Sequence, residues 1–129
     1  MRAVIVTSST SYEPRAEKVG RFLEECGCQV QWLESDFNHR EKRKEKRQSP
    51  GHQYIDAVSY RKNLSVRRLY SQYDFARKTF RILKDQPVDL LYVLVPANSL
   101  VPVAARIKKR HAARLVLDII DLWPESLPV

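Results

Sequence analysis

Residues 2–7 read Arg-Ala-Val-Ile-Val-Thr, residues 13–14 Glu-Pro, and residues 30–33 Val-Gln-Trp-Leu. The first and last are short apolar runs of the kind that form strands buried on both faces. Glu13-Pro14 is a helix start, because proline lacks only an N–H that the first turn leaves unused. Ala16, Val19, Phe22, Leu23 and Cys26 then recur on one helical face, and Gly27 stops the helix. Strand, helix and strand within about 35 residues make a βαβ unit, which requires a parallel sheet.

Two further strands extend the pattern. Residues 89–95, Asp-Leu-Leu-Tyr-Val-Leu-Val, and residues 114–120, Arg-Leu-Val-Leu-Asp-Ile-Ile, are apolar and branched. Between them a helix capped by Asn98 or Ser99 carries Pro102 in its first turn. It turns Leu100, Val103, Ala104 and Ile107 inward and ends in Lys108-Lys109-Arg110, charges that suit a helix C-terminus. A longer helix is expected over residues 65–84, capped by Ser65. Its inward face reads Val66, Leu69, Tyr70, Tyr73, Ala76, Phe80 and Leu83. Residues 54–60 alternate loosely and suggest a short strand. The order of elements indicates an α/β fold: a doubly wound, mostly parallel Rossmann-like sheet with helices on both faces.

Composition sets the outer bounds. The chain has 129 residues, 43% hydrophobic and 29% charged, enough for one domain with a real core. The net charge of +8 favours an anionic partner: nucleic acid, a phosphorylated ligand or an acidic membrane. Much of the surplus lies in residues 38–51. Arg40, Lys42, Arg43, Lys44, Lys46 and Arg47 stand there with almost no apolar residue among them, and Ser49-Pro50-Gly51 closes the segment as a turn. A solvated, mobile basic loop is expected, able to meet anions or anionic lipid. A nucleic-acid partner is disfavoured, because no aromatic residues interleave with the cations as a stacking platform. Cys26 and Cys28 lack zinc-site spacing and read as reduced, mostly buried thiols. No apolar run approaches the length of a signal-peptide core or a membrane span. A cytoplasmic protein is expected, with a peripheral place on the inner face of the cell membrane left open.

In open α/β sheets ligands bind beyond the carboxyl ends of the strands. Three segments meet that description here. Ser8, Ser9, Thr10 and Ser11 follow the first strand and offer hydroxyls near a helix N-terminus. They contain no glycine, so the segment is neither a dinucleotide fingerprint nor a phosphate loop. Residues 96–99, with Asn98 and Ser99, follow the strand that begins at Asp89. Asp121, Trp123 and Glu125 follow the last strand, which Pro124 ends. Asp121 is placed to act as a general base on an incoming hydroxyl; equally, it caps a following helix while Trp123 fills core. Asp118, three residues earlier, points away from Asp121 and serves a structural role. His39, His52 and His111 are scattered, His111 as a surface residue at a helix end. They build neither a catalytic set nor a metal site.

Residues 117–126, Leu-Asp-Ile-Ile-Asp-Leu-Trp-Pro-Glu-Ser, resemble the Asp-x-x-Asp-Leu-Trp-Pro-Glu stretch of bacterial family 4 (group 1) glycosyltransferases. The likeness reaches upstream to the strand at Asp89, its polar loop and the basic-ended helix. Residues 1–11 are similar to the family's opening strand and loop but lack the glycine-rich turn many members carry. The resemblance implies a GT-B architecture of two Rossmann-like domains, of which residues 1–129 would be most of the first, truncated at its C-terminus. It implies an acceptor-binding domain that works with a C-terminal donor-binding domain, the latter holding the nucleotide sugar through a Glu-x7-Glu element and basic residues. It further implies transfer of the sugar to an acceptor hydroxyl, often of a lipid-linked sugar in surface-polysaccharide synthesis, without an essential metal. On this resemblance Ser8, Ser9, Thr10, Asn98, Ser99, Trp123 and Glu125 line the acceptor side. Asp121 lies nearest the reacting hydroxyl, and no cofactor belongs to this domain. The domain alone is expected to be inactive. A non-catalytic α/β partner or scaffold module is the alternative reading.

Overall fold

A computed structural model describes residues 1–38, 40–46, 48–62, 65–95 and 99–119, with Ser11 through its backbone alone. Five strands, β1 (Arg2–Thr7), β2 (Gln29–Ser35), β5 (His52–Ile55), β6 (Leu90–Val95) and β7 (Arg114–Ile119), form one parallel sheet in the order β5-β2-β1-β6-β7. Two short strands, β3 (Phe37–Asn38) and β4 (Arg43–Lys44), pair antiparallel as a separate ribbon. Helix α1 (Glu13–Glu25) covers one face, and α2 (Val66–Leu83) and α3 (Leu100–His111) the other. The expected doubly wound α/β architecture is therefore the one observed.

β1 lies at the centre, and Ala3 to Thr7 are all buried. Its period of two divides the core. Ile5 joins Ala16, Trp32 and Leu94 under α1, while Val4 and Val6 join Leu33, Leu91 and Val93 under α2 and α3. Asp89 ties the amino ends of the strands together. Its carboxylate accepts from the Arg2 N–H at 2.8 Å, its N–H donates to the Arg2 carbonyl, and its own carbonyl accepts from the Arg114 N–H.

α1 begins at Glu13 with its proline in the first turn, as read from the sequence. It ends in a Schellman motif: Gly27 sits at φ +90°, its N–H donates to the Glu24 carbonyl, and the Cys28 N–H donates to the Leu23 carbonyl. Two side chains assigned to its inner face lie elsewhere. Phe22 and Cys26 are exposed, and Cys28 is only half-buried, so the buried-thiol expectation fails. The reason is spacing. Ala16 and Gly20 are the buried residues, with Val19 and Leu23 packed beside them, and Phe22 falls off that stripe. Gly20 is present because Trp32 fills the space a side chain would need. A Cβ on Gly20 would lie 2.0 Å from the Trp32 ring. That ring has no room to retreat: its Nε1–H donates to the Ala16 carbonyl at 3.0 Å, and His52 stacks on it with ring centroids 4.4 Å apart.

α2 starts where expected, with Ser65 Oγ accepting from the Arg68 N–H. Its inner face, however, is rotated from the one the apolar pattern marks. Val66, Leu69, Tyr70 and Tyr73 are exposed, whereas Ser71, Asp74, Phe75, Ala76, Thr79 and Leu83 are buried. The buried polar groups are satisfied. Ser71 Oγ donates to the Val58 carbonyl, Thr79 Oγ1 donates to the Phe75 carbonyl, and Asp74 is paired with Arg77 at 2.6 Å and Lys78 at 2.8 Å. A polar residue with a partner can be buried at little cost, so apolarity alone misplaces the face.

The segment expected as a mobile basic loop contains β4, which pairs with β3 just before it in the two-stranded ribbon. Asn38 Oδ1 accepts from the N–H groups of Arg40 and Glu41, Lys42 takes the left-handed region at φ 55°, and Glu45 N–H donates to the Asp36 carbonyl. The strand suggested at residues 54–60 is shorter and earlier, His52–Ile55, and residues 56–60 run without regular structure. The turn at Ser49 to Gly51 stands as read, with Gly51 at φ +78°.

Gly20→Ala is expected to destabilise the chain by about 3 kcal/mol through overpacking, with Gly20→Ala/Trp32→Leu losing less than the two single changes together; urea unfolding checks this. Asp74 provides a pH test. Burial pushes its carboxyl up, but the hydrogen bonds and charges of Lys78 and Arg77 outweigh that and hold its pKa below the ordinary carboxylate value. A depressed folded-state pKa contributes stability above the unfolded value and loses it as pH falls through the folded one. Asp74→Asn is expected to cost about 1–2 kcal/mol at neutral pH and to flatten part of the acid limb of the stability profile.

Candidate functional site

Because β1, β2, β5, β6 and β7 are parallel, their carboxyl ends share one edge. Thr7 is in register with Leu94 and Glu34, Ser35 with Ile55, and Val95 with Ile119. From β1 the chain crosses over α1 to β2 on one side, and from β6 it crosses over α3 to β7 on the other. The strand order therefore reverses between β1 and β6, and the crevice beyond their carboxyl ends is the position where open α/β sheets hold ligands.

The β1 side of that crevice carries the predicted hydroxyls. Thr7 is buried, and its Oγ1 accepts from the Ser9 N–H while lying 3.1 Å from the Ser9 carbonyl. Ser8, Ser9 and Thr10 are half-buried, and the Tyr12 N–H donates to Ser9, closing a tight turn of 3-10 helix (Thr10–Tyr12) before α1. On the β6 side Ser99 precedes α3. It does not cap that helix through its side chain as expected: its backbone is already helical, and its buried Oγ has no hydrogen-bond partner among the described residues. Asn98 lies outside the described residues, as do Asp121, Trp123 and Glu125. Ser8, Ser9, Thr10 and Ser99 are thus the predicted site residues found on the shared edge.

Asp118, expected to bond to neighbouring loops, is instead hydrogen-bonded to a helix and a strand. It accepts from Arg15 through both Nε, at 2.7 Å, and Nη2, at 2.9 Å, and from the Tyr92 hydroxyl at 2.7 Å. This clamp runs from the first turn of α1 across β6 to β7 and lies near the carboxyl edge. Burial, then the bond to the Asp118 carboxylate, raises the Tyr92 phenol above its ordinary pKa.

The basic residues of 40–46 are mostly exposed, and some have acidic partners. Arg43 pairs with Glu41 at 2.5 Å, and Lys44 pairs with Asp56. Lys46 borders an open pocket with Asp36, Glu45 and Asp56, Arg40 is exposed, and Arg47 lies outside the described residues. Lys42 turns towards a second group of cations, with its Nζ 5.3 Å from the Tyr60 ring centroid. Arg61, Lys62 and Arg67 line the same pocket. They stand far from residues 40–47 in the sequence and carry no periodic signal.

His52 is a further residue that sequence reasoning left scattered. Its Nδ1 lies 2.9 Å from the buried Glu34 carboxylate, its Nε2 lies 3.2 Å from Glu17, and its ring stacks on Trp32. Its place under α1, away from the carboxyl edge, makes it a packing element. His111 is half-buried rather than free on the surface, with Nε2 2.8 Å from the Leu83 carbonyl. Among the described residues no three His, Cys, Asp or Glu side chains are grouped to hold a metal ion, and no helix is long and apolar enough to cross a membrane.

Comparison with protein families and with curated proteins finds no match. Among solved structures, the chain is similar to the C-terminal domain (residues 83–215) of a hydrogenase from Pyrococcus furiosus. That likeness has a TM-score of 0.62 at 10% identity, over 90% of this chain and 89% of the other. At that identity it shows the fold alone.

Asp118→Asn is expected to lower the Tyr92 pKa towards its ordinary value, because the neutral amide no longer favours the protonated phenol. With Arg15 largely in water, the accompanying stability loss should be only about 1 kcal/mol. Tyrosine ring-carbon NMR through an alkaline titration reads the first, and urea unfolding the second.

Proposed function

We propose that this chain is the acceptor-binding domain of a glycosyltransferase that moves a sugar from a nucleotide-sugar donor to an acceptor hydroxyl, in cell-surface polysaccharide or glycolipid synthesis. One observation carries the reading. β1, β6 and β7 end on a single edge, which brings the Ser8-Ser9-Thr10 turn and Ser99 to one side of the sheet, the side on which β7 ends at Ile119. Thr7 and the Asp118 clamp are buried or pinned beneath that edge, which gives the hydroxyl groups above them a rigid base.

In this reading Ser9, Thr10 and the Ser99 hydroxyl bind acceptor hydroxyls. Asp121 takes the proton of the attacking hydroxyl as its oxygen bonds to the anomeric carbon of the donor. The bond from that carbon to the diphosphate breaks, and the nucleoside diphosphate leaves with the electron pair. Donor binding belongs to a second Rossmann-like domain, so residues 1–129 alone should not turn over.

The test is release of nucleoside diphosphate by the full-length gene product, offered a panel of sugar nucleotides and hydroxyl acceptors. Asp121→Asn should lower kcat by about 10²–10⁴-fold. Ser9→Ala and Ser99→Ala should raise the acceptor KM with less effect on kcat. Acceptor-independent release, or an Asp121→Asn variant as active as the parent, would remove the assignment.

A further inference from the structure

A second concave site lies on the same edge, towards its β5 end. The segments that leave β2 and β5, together with the N-terminus of α2, enclose an open pocket of about 630 Å³ lined by Lys42, Tyr60, Arg61, Lys62 and Arg67. Its size falls within the range of small-molecule sites. With Ser59 and Ser65, which also line it, four of the seven lining residues are cationic, and Arg68 adds a fifth positive charge 6.0 Å from the Tyr60 ring centroid. Among the described residues no carboxylate lies within ion-pair distance of Arg61, Lys62 or Arg67. The contrast with the neighbouring ribbon is sharp, since Arg43 and Lys44 each have an acid beside them.

The placement runs against the chain's own electrostatics. The N-terminus of a helix carries partial positive charge, which favours acidic side chains in the first turn. α2 has none there and holds Arg67 and Arg68 instead. The Arg67 Nε–H donates to the Ser59 carbonyl at 2.5 Å, which fixes that guanidinium in the pocket wall. Burial, then the charge of Arg68, holds the Lys42 ammonium below its ordinary pKa. Folding thus gathers Arg61, Lys62 and Arg67 around a cavity with no acid paired to them among the described residues, an arrangement that a bound polyanion would relieve.

We infer that this pocket binds the phosphate or diphosphate group of a phosphorylated ligand. Guanidinium groups match phosphate oxygens bidentately, and ammonium groups add point charge. The inference rests on this pocket alone. It needs no sugar transfer, so its fate and that of the acceptor-domain reading can be decided separately.

The test is calorimetric titration of the 129-residue chain with inorganic pyrophosphate at low salt, beside sedimentation with phosphatidylcholine vesicles with and without phosphatidic acid. Saturable pyrophosphate binding is expected. Arg61→Ala/Lys62→Ala should weaken it by about tenfold or more, and Arg67→Gln should weaken it independently. Lys108→Ala/Lys109→Ala removes the same charge from exposed positions at the end of α3 and should stay within about twofold. Phosphatidic acid vesicles that bind and are displaced by pyrophosphate identify a lipid headgroup as the source of the phosphate. Pyrophosphate binding without vesicle binding identifies a soluble phosphate compound. Either result upholds the site. No saturable binding up to about 1 mM pyrophosphate, or an equal loss in the Lys108/Lys109 variant, overturns it.

Discussion

The structure depends on β1 being buried on both faces and paired on both edges. Each residue from Ala3 to Thr7 is hidden from water, and every one has a parallel partner in β2 and in β6. Such a strand has no solvent side to accept a polar residue. It forces the chain to place helices on both faces, and parallel pairing forces each connection to cross the sheet. The carboxyl ends then fall on one edge, and the helix N-termini that follow them face the same way. The crevice beside Ser9 and Ser99 and the cationic pocket at the start of α2 both follow from this one constraint.

The two faces are held by different means. Under α2 and α3 the core is continuous and apolar, from Val4 and Val6 to Phe75, Leu83, Leu91 and Ile107. Under α1 it is smaller and depends on one shape. Trp32 occupies the gap left by Gly20, is hydrogen-bonded to the Ala16 carbonyl, and is backed by His52, which two carboxylates hold. Towards β7 that face thins out. Val116 is exposed, and the Arg15–Asp118–Tyr92 clamp takes over from hydrophobic packing.

Charge is distributed with similar economy. A net charge of +8 could have been spread as a diffuse field. Instead Arg43 and Lys44 of the ribbon pair with Glu41 and Asp56, while Arg61, Lys62 and Arg67 line one concavity. Ionic surfaces of this kind act through position more than through total charge.

The sequence by itself determined the elements and their class. Apolar runs of five to seven residues, proline at the start of α1, Ser65 before α2 and Gly27 after α1 are local signals, and local chemistry suffices to read them. It also marked the Ser8–Thr10 turn as a rim segment and Asp118 as structural. What only the tertiary structure decided involves groups that meet from distant parts of the chain. The buried face of α2 turns on Ser71 and Asp74 finding partners. The β3–β4 ribbon is supported by the Asp36 carbonyl, which accepts from the Glu45 N–H, and by Asn38, whose Oδ1 accepts from the Arg40 and Glu41 N–H groups. The cationic pocket joins Lys42 to Arg61, Lys62 and Arg67. No period along the chain encodes such meetings, because satisfaction of a polar group and summation of charge depend on distance in space, which the fold sets.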